Sequence, residues 1–314
     1  MRKNKFFIVL FLILAVLIVA EFYVYANYNV FEGKEQQISF VVTGDNLDYW
    51  VNLKSGAETA ALDKKCQVTF LNSPYSAGVE GEIELINRQL SDGADYVYVA
   101  SGFYSQLLEY VKDQGLNNKV RFIINGNLED EKNSIICDDY SMGKDYGEFL
   151  KDKGFSGGLY LMYGHETVNN SNFISGLEAE LEDSNIFIKK ELVDPEDSQL
   201  RNHIYNIKQS SLYSGMMLLD KDVLDIAVDV TISTNTNDEV FAVDGNTSSV
   251  YYLDSGLIQG LACRDDYSMG YIAVNNVLKT RKHDIETDIP LYYIVEKSQI
   301  HSEEFEKVLF PFVK

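Results

Sequence analysis

The sequence predicts an α/β protein of two doubly wound lobes, each a parallel sheet with helices on both faces. Three observations predict it. Short apolar runs suited to buried strands alternate with helical patterns along most of the chain, as parallel sheets with right-handed crossovers require. The 314 residues suffice for two cores of ordinary size, and 46% hydrophobic content places the chain among globular proteins. Finally, one stretch occurs twice: Asp138-Asp139-Tyr140-Ser141-Met142-Gly143 returns letter for letter as Asp265-Asp266-Tyr267-Ser268-Met269-Gly270.

Each copy follows an apolar run, residues 135–137 and residues 261–263 with Arg264 added. Each also precedes a helical pattern in which Met142, Tyr146 and Leu150 share the register of Met269, Ala273 and Val277, spaced as one helix face requires. The short oxygens of the acidic pair and the serine suit a helix N-terminus, where backbone N–H groups lack partners. Each copy therefore reads as strand, cap, helix. Chance or local capping preference is the alternative to a pair of similar halves.

In order, strands are expected at residues 38–43, 67–71, 96–100 and 120–124, with helices at 48–63, 79–90 and 103–114 between them. The first helix carries Trp50, Leu53, Ala57 and Ala60 along one face. Beyond the first copy, strands are expected at 159–162, 186–192, 215–219, 240–243 and 258–263, and helices at 172–181, 198–210, 221–229 and 247–254. The helix after the second copy, residues 266–279, comes too late to be a middle element of the second half and suits a return to the first. Such a return makes the join a multi-strand hinge.

Arg2, Lys3 and Lys5 precede an uncharged apolar run over residues 6–20, followed by Glu21 and a further apolar stretch to Ala26. A basic start before an apolar segment is an export signal that sends the body outward. Two readings are open: an uncleaved signal anchor that holds the protein to the membrane through its N-terminal helix, or a cleaved signal peptide that leaves it secreted. The net charge of −21, from 48 acidic and 27 basic residues, disfavours nucleic acid as a partner. Cys66, Cys137 and Cys263 are too few for a disulfide framework. Cys137 and Cys263 flank the repeated stretch, and either an oxidised pair or buried free thiols is compatible with an export route.

Three segments carry a family resemblance. Residues 38–43 are followed by Tyr49 and Trp50 and a helix containing Ser55-Gly56-Ala57; residues 240–245 form an apolar strand ending in Asp244-Gly245; residues 255–260 read Ser-Gly-Leu-Ile-Gln-Gly. In these the chain resembles the type I periplasmic sugar-binding proteins of ribose-binding kind, related to the ligand-binding core of lactose-repressor-like regulators, from about residue 38 to 300. The resemblance implies two lobes joined by three hinge crossings, with a ligand held in the cleft between them. The repeated stretches match the first two crossings, and a third is expected near residues 291–295. The implied division is 1–32 for the signal anchor or signal peptide, 33–138 with 265–291 for the first lobe, and 139–264 with 292–314 for the second.

By the same resemblance Tyr49 and Trp50 match aromatics that stack on a sugar ring, although Trp50 also suits helix packing. Asp244 matches an acceptor for sugar hydroxyls and Asp220 a polar pocket residue, with helix capping open for both. Arg264 falls at a polar hinge position, where it can clamp hydroxyls or a carboxylate or stand as a surface arginine. Departures are Leu47 and Ala100 where asparagines are usual, Gly126-Asn127 where an Asp-Arg pair is usual, and Ser171 where an arginine is usual. Asn127, Ser171 and Asn172 retain hydrogen-bonding capacity. Loss of two arginines argues against ribose and against a simple monosaccharide.

No catalytic constellation accompanies this pattern. His165, His203, His283 and His301 lie far apart, and the sequence has no G-x-S-x-G elbow, no Walker loop and no G-x-G-x-x-G after the first strand. Neither an enzyme, a metal nor a cofactor is expected. The expected function is an extracytoplasmic solute-binding protein that captures a carbohydrate-like molecule. Its closed form is expected to be read by an ABC permease or, alternatively, by a membrane sensor histidine kinase.

Overall fold

The computed structural model describes residues 18, 35–44, 47–125, 134–234, 239–243, 247–278, 291–302 and 305. The first half runs β1 (Gln37–Thr43), a 3-10 turn (Leu47–Trp50), α1 (Val51–Lys64), β2 (Gln67–Ser73), α2 (Gly78–Ser91), β3 (Tyr96–Ala100), α3 (Tyr104–Asp113), β4 (Val120–Asn125) and β5 (Ile135–Cys137). After it come α4 (Asp139–Asp152), β6 (Gly157–Tyr163), α5 (Val168–Leu181), β7 (Ile186–Leu192), α6 (Leu200–Lys208), β8 (Tyr213–Leu218) and α7 (Lys221–Thr234). The chain continues through β9 (Glu239–Val243), α8 (Thr247–Ser255), β10 (Gly260–Arg264), α9 (Asp266–Leu278) and β11 (Tyr292–Val295). The predicted alternation is present, with one departure: β11 pairs antiparallel with β10. A short apolar strand carries no mark of its direction, which only the path of the chain decides.

Two sheets result, ordered β2-β1-β3-β4-β5 and β11-β10-β9-β8-β6-β7. Read from β7, the second repeats the order of the first, 2-1-3-4-5, with β11 added at its edge. Each sheet therefore reverses direction of build at one place, between β1 and β3 and between β6 and β8. The crevice at the carboxyl ends of the strands beside such a switch point is where open α/β sheets bind ligands.

Both faces of each sheet are covered, which is why β1 reads as a nearly continuous apolar run and Phe40, Val41 and Val42 are all fully buried. Phe40 stacks on Phe70 with ring centroids 4.4 Å apart and on Tyr98 at 5.3 Å. In the second half Tyr146 of α4 meets Phe173 and Phe241 edge-on. Leu53, Ala57 and Ala60 of α1 are fully buried, as their shared face predicts, and so are Met142, Tyr146 and Leu150 of α4.

The helices after the repeated stretches change partners. α4, which leaves the first sheet, packs on α5 of the second half, and α9, which leaves the second sheet, packs on α1 of the first. Both crossings use the same device. A Cβ on Gly143 would lie 2.0 Å from the Phe173 carbonyl oxygen, and one on Gly176 2.0 Å from that of Tyr140. The equivalent distances are 2.0 Å from Gly270 to Leu53 and 1.9 Å from Gly56 to Tyr267. Backbones this close admit only glycine on either side.

Among the described residues no helix is long and apolar enough to cross a membrane. The expected export segment lies outside them apart from Ile18. None of the three cysteines forms a disulfide, and Cys137 and Cys263 are buried in different hydrophobic cores.

Candidate ligand-binding site

Three chain segments meet at one carbonyl. The Leu291 oxygen accepts a hydrogen bond from the Asp265 backbone N–H at 2.8 Å and from the Cys137 thiol at 3.4 Å. The ends of β5 and β10 and the start of β11 are thereby tied together where the chain passes between the two sheets. Around this point the first aspartate of each copy caps its helix: Asp138 Oδ1 accepts from the Ser141 N–H at 3.0 Å, and Asp265 Oδ1 from the Ser268 N–H at 2.9 Å. The duplicated letters thus do the capping that their chemistry suggests.

The second aspartate of the first copy does something else. Asp139 is fully buried, and the Arg264 guanidinium donates to its Oδ1 from Nε at 3.0 Å and from a terminal nitrogen at 2.6 Å. Its Oδ2 is buried without a hydrogen-bond partner among the described residues. Burial pushes the Asp139 carboxyl above the usual aspartate range, against the pull of the Arg264 charge. Arg264 is thus not a surface arginine. It joins the end of β10 to the start of α4, and burial likewise raises the Cys137 thiol beside it.

Each switch point is closed by a carboxylate. At the first, Thr43 ends β1 and its hydroxyl donates to Glu82 Oε1 at 2.5 Å; Glu82 Oε2 is buried without a hydrogen-bond partner among the described residues. Glu82 itself is fully buried, and desolvation raises its pKa despite the bond from Thr43. At the second, Asp220 follows β8 and accepts from the Gly164 N–H at 2.5 Å, just past β6. His165 Nδ1 lies 3.5 Å from the other Asp220 oxygen. The loop then enters α5, where Thr167 accepts from the Asn170 N–H at 3.1 Å and the Asn170 amide donates to the His165 carbonyl at 3.0 Å. That cap starts the helix at Val168, one turn earlier than periodicity alone suggests.

The sequence-derived residues fall in three places. Trp50 packs half-buried against the first core and donates its indole N–H to the Thr43 carbonyl at 2.9 Å, which holds it at the end of β1. Tyr49 belongs to the same 3-10 turn, with its side chain outside the described part. Ser171 and Asn172 lie in the first turns of α5, exposed and half-buried, on the helix that follows the loop whose Gly164 N–H Asp220 holds. Arg264 stands apart at the hinge. Asn127 and Asp244 lie outside the described residues. Sequence reading missed Glu82 and Asp139. An acid on the apolar stripe with Ile83 and Ile86 was the available sign for the first, whereas the pairing of Asp139 with Arg264 has none. Among the described residues no group of His, Cys, Asp and Glu is placed to hold a metal ion.

Two doubly wound sheets of one order, joined by three meeting segments, define the two-lobed class of α/β binding protein. Residues 38–282 match the periplasmic binding protein domain family, and the chain belongs to it. Solved structures agree in fold. A carbohydrate transporter solute-binding protein from Agrobacterium radiobacter, in complex with D-arabinose, superposes with a TM-score of 0.71 at 16% identity, covering 88% of this chain and 99% of that one. An ABC transporter solute-binding protein from Agrobacterium vitis with bound D-fucose gives 0.71 at 16% identity, covering 87% and 100%. The XylFII–LytSN complex gives 0.65 at 20% identity, covering 84% and 99%. No curated protein sequence matches the chain.

Proposed function

We propose that the protein is an extracytoplasmic solute-binding protein that closes two lobes around a carbohydrate and delivers it to an ABC transporter. The lobes are residues 33–138 with 265–291 and residues 139–264 with 292–314. The observation that carries this reading is the repeated sheet order with polar groups at both switch points, Thr43 with Glu82 in one sheet and Asp220 in the other. Binding between two such edges, with the hinge at Leu291, lets closure bury a polar ligand from both sides. The arabinose- and fucose-bound structures of the same fold support a sugar as that ligand. Tyr49, Trp50 and Asn127 are the proposed contacts from the first lobe, and Ser171, Asn172, Asp220 and Asp244 those from the second. Arg264 joins them from the hinge, and the apolar segment over residues 6–26 anchors the protein to the outer face of the membrane.

A second reading is presentation of the closed form to a membrane sensor kinase, for which the proposed anchor would keep the protein beside its receptor; a two-protein complex, XylFII–LytSN, is among the structures of similar fold. The test of binding is to denature the purified protein, identify any released small molecule by mass spectrometry, and screen sugars by thermal shift. A sugar is expected to raise the melting temperature. An amino acid or nucleoside doing so while no sugar does would sink the carbohydrate reading. Asp244→Ala is expected to weaken sugar binding by about 1.5–3 kcal/mol, the worth of a charged hydrogen bond, with the unliganded melting temperature retained.

A further inference from the structure

The second half carries a cavity of about 460 Å³ whose lining comes wholly from its own β6, β7, α5 and the loop between β6 and α5. That volume lies within the range of small-molecule pockets, roughly 300–1,000 Å³. Thr167, Ser171, Ser175 and Glu178 line it. These positions follow one another at helical spacing, so they form a single stripe along α5. From Thr167 to Glu178 the stripe runs about 16 Å at the rise of an α-helix, far longer than one sugar ring. Across from it Lys190 of β7 pairs with Glu178 at 2.8 Å. Tyr163, the last residue of β6, also lines it.

The groove borders the second switch point through the chain at Tyr163. Tyr163 immediately precedes Gly164, whose N–H is held by Asp220 at the second switch point, and Ser171 is shared between the groove and the candidate contacts of the cleft. Its chemistry is that of a hydroxyl-rich ligand: side-chain hydroxyls, a carboxylate and an ammonium group to exchange hydrogen bonds, and one flat ring for an apolar sugar face. The Ser175 hydroxyl already donates to the Ser171 carbonyl at 2.8 Å, which leaves its oxygen as an acceptor. Resting on the carbohydrate reading, we propose that this groove extends the interlobe site and takes the second unit of an oligosaccharide whose first unit lies in the cleft.

Isothermal titration of the full chain with matched sugars tests it: glucose against maltose and cellobiose, galactose against lactose, xylose against xylobiose, and arabinose against arabinobiose. In at least one set the disaccharide is expected to bind about tenfold tighter or more than its monosaccharide. Ser175→Trp, an exposed position on α5, fills the groove and is expected to bring that ratio close to one, and Lys190→Ala to lower it. Monosaccharide binding with no tighter disaccharide overturns the extension and leaves the carbohydrate reading standing. So does a preference that survives both substitutions. No binding by any sugar of either length overturns the reading and the extension together.

Discussion

Asp139 and Arg264 are separated by 125 positions in sequence and by 2.6 Å in space. Removing one member of a buried pair strands the other charge, which costs about 3–5 kcal/mol. Arg264→Met is therefore expected to lower the unfolding free energy by about that amount in urea titrations, since Asp139 is fully buried and already has one oxygen without a partner. Adding Asp139→Asn removes the stranded charge and is expected to recover most of the loss. A single Arg264→Met variant as stable as the parent would mean that the pair does not hold the hinge. The importance of position 264 was legible, because the residue stands just before a duplicated stretch at the end of an apolar run. Its partner was not, because no local pattern connects a helix start to a strand end so far along the chain.

At the scale of the element, the repeated stretch encodes two functions in a few letters. Its first aspartate and its serine cap the helix, and its glycine lets that helix touch another backbone. The capping was legible from side-chain chemistry alone. The close crossing was not, since it depends on Gly56 and Gly176, which stand on α1 and α5 outside the repeat. Gly143→Ala and Gly270→Ala each force a methyl group to about van der Waals overlap with a carbonyl oxygen. Each is expected to destabilise the protein by about 3 kcal/mol, the upper part of the usual range for overpacking, as read by guanidinium denaturation. Native stability in either variant would refute the backbone contact at that crossing. Because the two crossings lie in different halves, the double variant is expected to lose close to the sum of the single losses.

For the molecule as a whole, pH acts through its many carboxylates. Burial holds Glu82, Asp139 and Asp265 above their ordinary pKa values. Each then binds its proton more tightly folded than unfolded, so the stability it contributes is complete at low pH and is lost as pH rises through the folded-state pKa. The net charge of −21 adds self-repulsion that also eases on acidification. The melting temperature is therefore expected to rise as pH falls from about 7.5 towards the ordinary glutamate pKa of about 4.3. Glu191, whose burial is outweighed by hydrogen bonds from His203 and Tyr160, is held below its ordinary value; its contribution is lost only in more acid solution. Glu82→Gln keeps the shape and the Thr43 contact without the charge. It is expected to be more stable than the parent at pH 7.5 and to gain less on acidification; an unchanged pH slope would show that Glu82 does not titrate in this window.

By itself the sequence determined the alternation of strands and helices, the buried faces of α1 and α4, the helix caps and the family, because each rests on patterns within a few residues of chain. Only the tertiary structure decided which helix packs on which, the direction of β11, the carboxylate behind the first switch point and the groove beside α5. Those features depend on backbones and charges brought together from distant segments, and no periodicity or motif records that meeting.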